Sequence, residues 1–88
     1  MHYMAVWTFK PEHTPAIAER FRETGAVPPE GVTLIARWHD VAGGRGFGLA
    51  RSDDPAAIAR WCLQWSDLMS LEVIPVVNDE TLAAVLAQ

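Results

Sequence analysis

The order of strand-like and helix-like segments is the feature that most restricts the fold of this chain. Two helices each begin at a proline that follows a capping residue, at Thr14-Pro15 and at Asp54-Pro55. Proline is favoured at the first helical position, because a backbone N–H at that position has no hydrogen-bond partner within the helix. Runs of β-branched, aromatic and apolar residues lie before and after both helices. The chain therefore predicts the element order β-α-β-β-α-β.

Hydrophobic periodicity and turn residues set the bounds of these segments. The first helix is predicted over residues 15–24, with Thr14 as its hydroxyl cap, and ends at Gly25, a residue type common just after helix C termini. In the second helix Ile58, Trp61 and Trp65 share one apolar stripe, which is typical of residues that face a core. We predict strands at Tyr3–Phe9, Val32–His39, Gly46–Arg51 and Met69–Val77, and a short C-terminal helix capped by Asn78-Asp79.

This order is typical of the ferredoxin-like α+β fold. Right-handed crossovers place both helices on one face of an antiparallel sheet with strand order 4-1-3-2. Pro75 then lies on an edge strand, where a missing backbone N–H is tolerated. A chain of 88 residues has room for one hydrophobic core. We therefore expect residues 1–88 to form a single ferredoxin-like domain with an added C-terminal helix.

Both faces of the predicted sheet are apolar. In the first strand Tyr3, Ala5 and Trp7 alternate with Met4 and Val6, whereas a strand with one solvated face alternates apolar and polar residues. The helices can cover only one of the two faces. Because soluble monomers rarely expose a large apolar patch, we expect a homodimer in which a second copy covers the other face.

Charge argues against nucleic acid as a partner. The net charge is −4 and the pI is about 5.1, which disfavours binding to a phosphate backbone. Arg45-Gly46-Phe47-Gly48 matches the start of the RNP1 signature of RNA-binding domains, but the residues that follow depart from it. We interpret this segment as a glycine-rich hairpin that returns into a strand.

No pattern indicates a metal, a cofactor or a membrane. His2, His13 and His39 are too scattered for metal-ligand spacing, and Cys62 is the only cysteine. No apolar run approaches the ~18 residues of a membrane span, and the N-terminal residues lack the features of an export signal. We expect a cytoplasmic protein that uses no cofactor, with Cys62 as an inert buried thiol.

Four polar residues are candidates for a ligand site. Strict alternation along the second strand places Arg37 and His39 on the sheet face away from the helices, and Glu72 takes the same face on the fourth strand. Together with Thr8 they would line a cavity between two paired sheets. There His39 would be the general base, Arg37 would bind an anion, and Glu72 would be their carboxylate partner. The alternative is structural, with Glu72 in a salt bridge to an arginine across the dimer and His39 solvated. Catalytic residues stay unassigned.

The second half of the chain also contains a specific combination of motifs. It comprises Asp53-Asp54-Pro55-Ala56, Trp61, Trp65-Ser66-Asp67-Leu68 and Glu72-Val73-Ile74-Pro75-Val76. With this combination the chain resembles the bacterial domain-of-unknown-function family 3303, which is similar to the dimeric α+β barrels. The resemblance implies two ferredoxin-like sheets packed face to face. It assigns no catalytic residues, because the family has no established activity. The wider superfamily includes cofactor-free monooxygenases, isomerases, haem-degrading enzymes and ligand-binding regulators, so the fold is a weak guide to function.

Two functional hypotheses follow from these observations. The first is a non-catalytic module that binds a small ligand or an interaction partner between the paired sheets of a homodimer. The alternative is a cofactor-independent monooxygenase or isomerase that acts on a small apolar or aromatic substrate. The lack of a redox-cofactor motif and of an unambiguous acid–base pair favours the first hypothesis.

Overall fold

Four antiparallel strands form one sheet in the computed structural model, which describes residues 1–88. The central strand β1 pairs with β3 on one side and with β4 on the other, and β3 pairs with β2. The order β2-β3-β1-β4 is the predicted 4-1-3-2 read from the opposite edge. The predicted ferredoxin-like α+β fold is confirmed. The strands are β1 (His2–Thr8), β2 (Thr33–His39), β3 (Arg45–Arg51) and β4 (Ser70–Val76).

Three helices accompany the sheet: α1 (Thr14–Thr24), α2 (Pro55–Leu63) and α3 (Asp79–Leu86). The start of α2 follows its sequence signal, because the Asp54 side chain accepts a hydrogen bond of 3.0 Å from the Ala56 backbone N–H. Asn78 caps α3 in the same way, since its side-chain oxygen accepts from the N–H of Thr81. Side-chain caps thus fix the start of both helices.

The start of α1 differs from the prediction. Thr14 does not cap the helix with its hydroxyl but is its first residue, and a single 3-10 turn at Pro11–His13 precedes it. His13 already has helical backbone angles (φ −88°, ψ −7°), so the chain enters α1 without the extended residue that a hydroxyl cap requires. The helix ends as predicted at Gly25, which has a left-handed φ of 67°.

The hydrophobic core lies between one face of the sheet and the helices. Trp61 of α2 packs in it at 9% exposure, and Trp65 is equally buried although it follows the end of α2. The side chains of β1 that face the core alternate with those that face away, as the predicted pattern requires. The core cluster consists of Ala5, Trp7, Val32, Ala50, Ala57, Ile58 and Trp61.

A β-bulge interrupts the alternation of side chains in β2. Leu34 is opposite Ala50, and Ala36 is opposite Leu49, so Ile35 is an extra residue with no partner on β3. A bulge of this kind bends the strand and re-aims the side chains that follow it. Residues of β2 beyond the bulge therefore lie on the sheet face opposite to the one that strict alternation predicts for them.

The bulge overturns the predicted placement of Arg37 and His39. Arg37 is opposite Gly48 and His39 is opposite Gly46, and both glycines lie on the helix-covered face beneath Trp7. Directly opposed residues of an antiparallel pair share a face. Arg37 and His39 therefore face the helices, and the prediction that they face away was wrong because it assumed an unbroken strand.

The other face of the sheet carries no helix, and we call it the open face. Trp38 belongs to it, opposite Phe47, and remains 57% exposed. The same strand alternation places Ile74 there at 40% exposure. The apolar residues of the open face are Met4, Val6, Ala36, Trp38, Phe47, Leu49, Ile74 and Val76.

The C-terminal helix extends the molecule. Every residue of α3 is exposed, including Leu82, Val85 and Leu86 at 48%, 56% and 75%. The radius of gyration is 14.5 Å, whereas a compact chain of this length has about 12 Å. None of the three helices combines the length and the apolar character that a membrane crossing requires.

Candidate functional site

A cavity of about 100 Å³ lies between the helix-covered face of the sheet and the helices. Of the 13 side chains that line it, 11 are hydrophobic, and the remaining two are Arg37 and His39. No carboxylate, hydroxyl or thiol belongs to the lining. The cavity is therefore an apolar chamber with two nitrogen-bearing groups. Its aromatic walls are Trp7, Phe9, Phe21, Trp61 and Trp65.

Trp7 forms the floor of the cavity because two glycines make room for it. A Cβ atom on Gly46 would overlap the Trp7 indole, and one on Gly48 would lie 3.2 Å from its Cζ3 atom. These are the glycines of the segment that partly matches an RNP1 signature. Their structural role is to let a large aromatic side chain approach the backbone of β3 closely.

Arg37 reaches the cavity from β2 and is held there by backbone and aromatic contacts. Its Nη1 donates a hydrogen bond of 3.0 Å to the carbonyl oxygen of Ala26. Its Cζ atom lies 4.9 Å from the centre of the Phe21 ring, within the range of a cation–π interaction. The side chain is half-buried and forms no ion pair with any carboxylate of the chain.

His39 lies at the mouth of the cavity between two aromatic rings. Its ring centre is 6.3 Å from that of Trp7 and 6.0 Å from that of Phe21, both in edge-to-face geometry. The residue is exposed. Such contacts orient the imidazole without occupying its nitrogen atoms, which leaves them available to a bound molecule.

Polar contacts fasten α1 to the segment between α2 and β4. Arg20 donates to both carboxylate oxygens of Asp67 at 2.7 Å, and its guanidinium lies 5.5 Å from the Trp65 ring centre. The Nδ1 atom of His13 donates to the carbonyl of Leu68 at 3.0 Å. The hydrogen bond from Arg20 lowers the pKa of Asp67, against a smaller opposing effect of burial. These contacts, which we call the clip, hold α1 over the cavity.

The four predicted site residues do not meet at one place. Arg37 and His39 lie at the cavity, whereas Glu72 lies on the open face opposite Val6. Thr8 is exposed at the end of the open face and borders a shallow polar groove. The two pairs are separated by the sheet itself, so no single chain assembles them into one site.

The aromatic walls were not among the predicted site residues, because Trp61 and Trp65 were assigned to the core rather than to a hydrophobic pocket. Trp61 and Trp65 belong to the apolar stripe that was expected to face the core, and each of them also lines the cavity. Cys62, on the same side of α2, is half-buried, and burial raises the pKa of its thiol, as expected for an unreactive cysteine. No three His, Cys, Asp or Glu side chains are arranged to hold a metal ion.

Two solved structures share the fold of this chain. One is described as "a putative antibiotic biosynthesis monooxygenase" from Deinococcus radiodurans, with a TM-score of 0.50 and 10% identity over 88% of this chain and 92% of that one. The other is Rv0793 from Mycobacterium tuberculosis, with a TM-score of 0.52 and 13% identity over 89% of this chain and 95% of that one. No curated protein matches the chain. At these identities the likeness shows the fold alone.

Membership of a family rests on the sequence as a whole. The profile described as "Domain of unknown function (DUF3303)" matches residues 1–88. This full-length match agrees with the resemblance that the motifs between Asp53 and Val76 indicated and with the observed strand order. The chain belongs to the DUF3303 family.

Proposed function

We propose that this protein binds one small apolar or aromatic molecule in the cavity between its helices and its sheet. The observation that carries the proposal is the cavity itself, which lies within one chain and is apolar on 11 of its 13 lining residues. Small-molecule sites are typically concave and apolar, with few polar groups to orient the ligand. An enclosed engineered cavity of about 150 Å³ accepts benzene. The present cavity is smaller, at about 100 Å³, but it is open at its mouth, so one ring can enter it while its substituents stay outside.

Binding without catalysis is the function that this lining supports best. Acid–base chemistry usually relies on a positioned base together with a group that orients it, and His39 has no such partner in the cavity. The alternative, a cofactor-independent monooxygenase or isomerase, depends on His39 alone as base. Oxygen uptake with one-ring phenols, measured on the wild-type protein and on His39→Gln, tests the monooxygenase form of that alternative, and uptake that the substitution abolishes would support it.

Tryptophan fluorescence tests ligand binding. Three of the four tryptophans line the cavity, and Trp38 does not, so a Trp38→Phe background reports on the cavity alone. Benzyl alcohol is a suitable neutral one-ring probe. We expect a saturable change in emission, which Val73→Phe abolishes by filling the chamber from β4.

The matched control for that experiment is Leu63→Phe. Leu63 is 72% exposed at the end of α2, so an added ring there leaves the cavity open. Thermal melts establish that both variants fold. Linear, non-saturable emission changes in the background protein would contradict a ligand site, as would equal binding by the Val73→Phe variant.

We further propose that a second copy of the chain covers the open face. The chain exposes 6016 Å², whereas a monomer of this mass typically exposes about 5,100 Å². The excess is close to the ~800 Å² that each partner buries in a stable complex. Glu72 is the only carboxylate of this face, and Arg51 on β3 offers a complementary charge there. Thr8 and Glu72 are then contacts of the dimer rather than of the ligand.

The isolated position of α3 also supports a dimer. A helix of 8 residues is well below the ~12–15 residues at which an isolated helix becomes marginal in water. Its exposed Leu82, Val85 and Leu86 need an apolar surface, and a second copy would supply one. We place this homodimer in the cytoplasm, with the single free thiol of Cys62 as a compatible feature.

A further inference from the structure

Arg37 is an uncompensated cation at an apolar cavity. Four of the seven Lys and Arg residues form ion pairs within the chain, but Arg37 forms none. A guanidinium has five N–H donors, and Ala26 accepts from only one of its nitrogen atoms. Partial burial of a charge without a counter-ion is unfavourable. The position therefore favours an anion that the chain does not itself provide.

Two backbone irregularities lie beside this one side chain. The bulge at Ile35 turns Arg37 toward the cavity. Ala26 has a left-handed φ of 51°, which is uncommon for a residue other than glycine, and its carbonyl accepts from Arg37. Bulges and strained residues are over-represented beside functional sites. Both features are absent from the other strands and loops that surround the cavity.

The surroundings of Arg37 define the chemistry of the anion. The chamber beside it is walled by Trp7, Phe21 and Trp61, which pack well against a planar ring. A guanidinium matches the two oxygens of a carboxylate in bidentate geometry. His39 stands at the mouth with free ring nitrogens and offers a second donor.

We propose that the ligand is a one-ring aromatic carboxylate, with its ring in the chamber and its carboxylate on Arg37. This inference rests on the proposed function and adds the charge of the ligand to it. No acidic side chain lines the cavity, so no negative charge there repels the carboxylate or forms an ion pair with the guanidinium.

The test compares benzoate with benzamide, its neutral isostere, by isothermal titration calorimetry. Because a hydrogen bond to a charged group contributes about 1.5–3 kcal/mol, we expect benzoate to bind about tenfold to a hundredfold more tightly than benzamide. Arg37→Gln should reduce this ratio to near one while benzamide affinity is kept. Arg37→Lys, which keeps the charge but loses the bidentate geometry, should retain part of the preference.

Arg22→Gln is the matched control. It removes the same charge from an exposed position on α1 and should leave the benzoate preference intact. Equal binding of benzoate and benzamide by the wild-type protein would overturn the carboxylate assignment but not the ligand site. Preference that survives Arg37→Gln would also overturn it. If benzyl alcohol, benzamide and benzoate all fail to bind, the proposed function itself is wrong.

Discussion

The indole of Trp7 packs directly against Gly46, on the face of the sheet that the helices cover. The two residues are directly opposite each other on β1 and β3. A side chain at position 46 and this indole cannot occupy the same space. The glycine thereby sets the depth of the cavity, because it allows Trp7 to form a floor rather than to fill the chamber.

We predict that Gly46→Ala destabilises the fold by about 1–3 kcal/mol or more, since the new Cβ forces the indole of Trp7 off its position. Gly48→Ala should cost less, because its Cβ would stand 3.2 Å from the same ring and needs only a small shift. Urea denaturation of the two variants checks the order. Equal stability of Gly46→Ala and wild type would contradict the observed packing of Trp7.

Trp61 should be a major source of stability. It is 9% exposed in the core cluster, and truncation of a buried aromatic residue to alanine costs about 3–5 kcal/mol. Leu63→Ala on the same helix is the control, and as a surface change it should cost within about 0.5 kcal/mol. A loss below about 1 kcal/mol for Trp61→Ala would mean that this side chain is not part of the core.

The clip between Arg20 and Asp67 predicts a pH dependence. The pKa of Asp67 is lowered in the folded chain by the Arg20 hydrogen bond, below the ~3.9 of an unfolded Asp. Its contribution to stability is thus fully present above about pH 4 and is lost as pH falls through the lower folded-state pKa. Asp67→Asn should be less stable than wild type at neutral pH, with the difference vanishing in acid.

Denaturation by urea at a series of pH values measures this difference. Glu12→Gln serves as the control, because Glu12 is exposed and forms no ion pair. Its stability should run parallel to that of the wild-type protein. A constant gap between Asp67→Asn and wild type down to strong acid would show that Asp67 acts through something other than its charge.

Assembly can be tested on the open face. Light scattering should give about twice the chain mass of 9.7 kDa at micromolar concentration. Trp38→Glu places a charge on the apolar open face and should yield a folded monomer, because an unpaired charge is costly to bury. Leu63→Glu adds the same charge to the helix side and should leave the dimer intact. A wild-type monomer would contradict coverage by a second copy.

The order of strands and helices along the chain was predictable because the residues that begin and end them act locally. Pro55 after Asp54 marks one helix start, and Gly25 marks the end of the other helix, each through backbone chemistry that acts within a few residues. The right-handed crossover rule then fixes which face both helices take. Even the edge position of Pro75 follows from the missing N–H of that single residue.

The sequence by itself therefore determined the elements, their order and the two apolar faces of the sheet. Tertiary structure decided which face received Arg37 and His39, because the bulge at Ile35 carries no glycine or proline to mark it. One extra residue reverses every later side chain of a strand with a period of two. The bulge appears only in the pairing with β3, and it brings Arg37 to the carbonyl of Ala26, contacts that only the folded chain brings together.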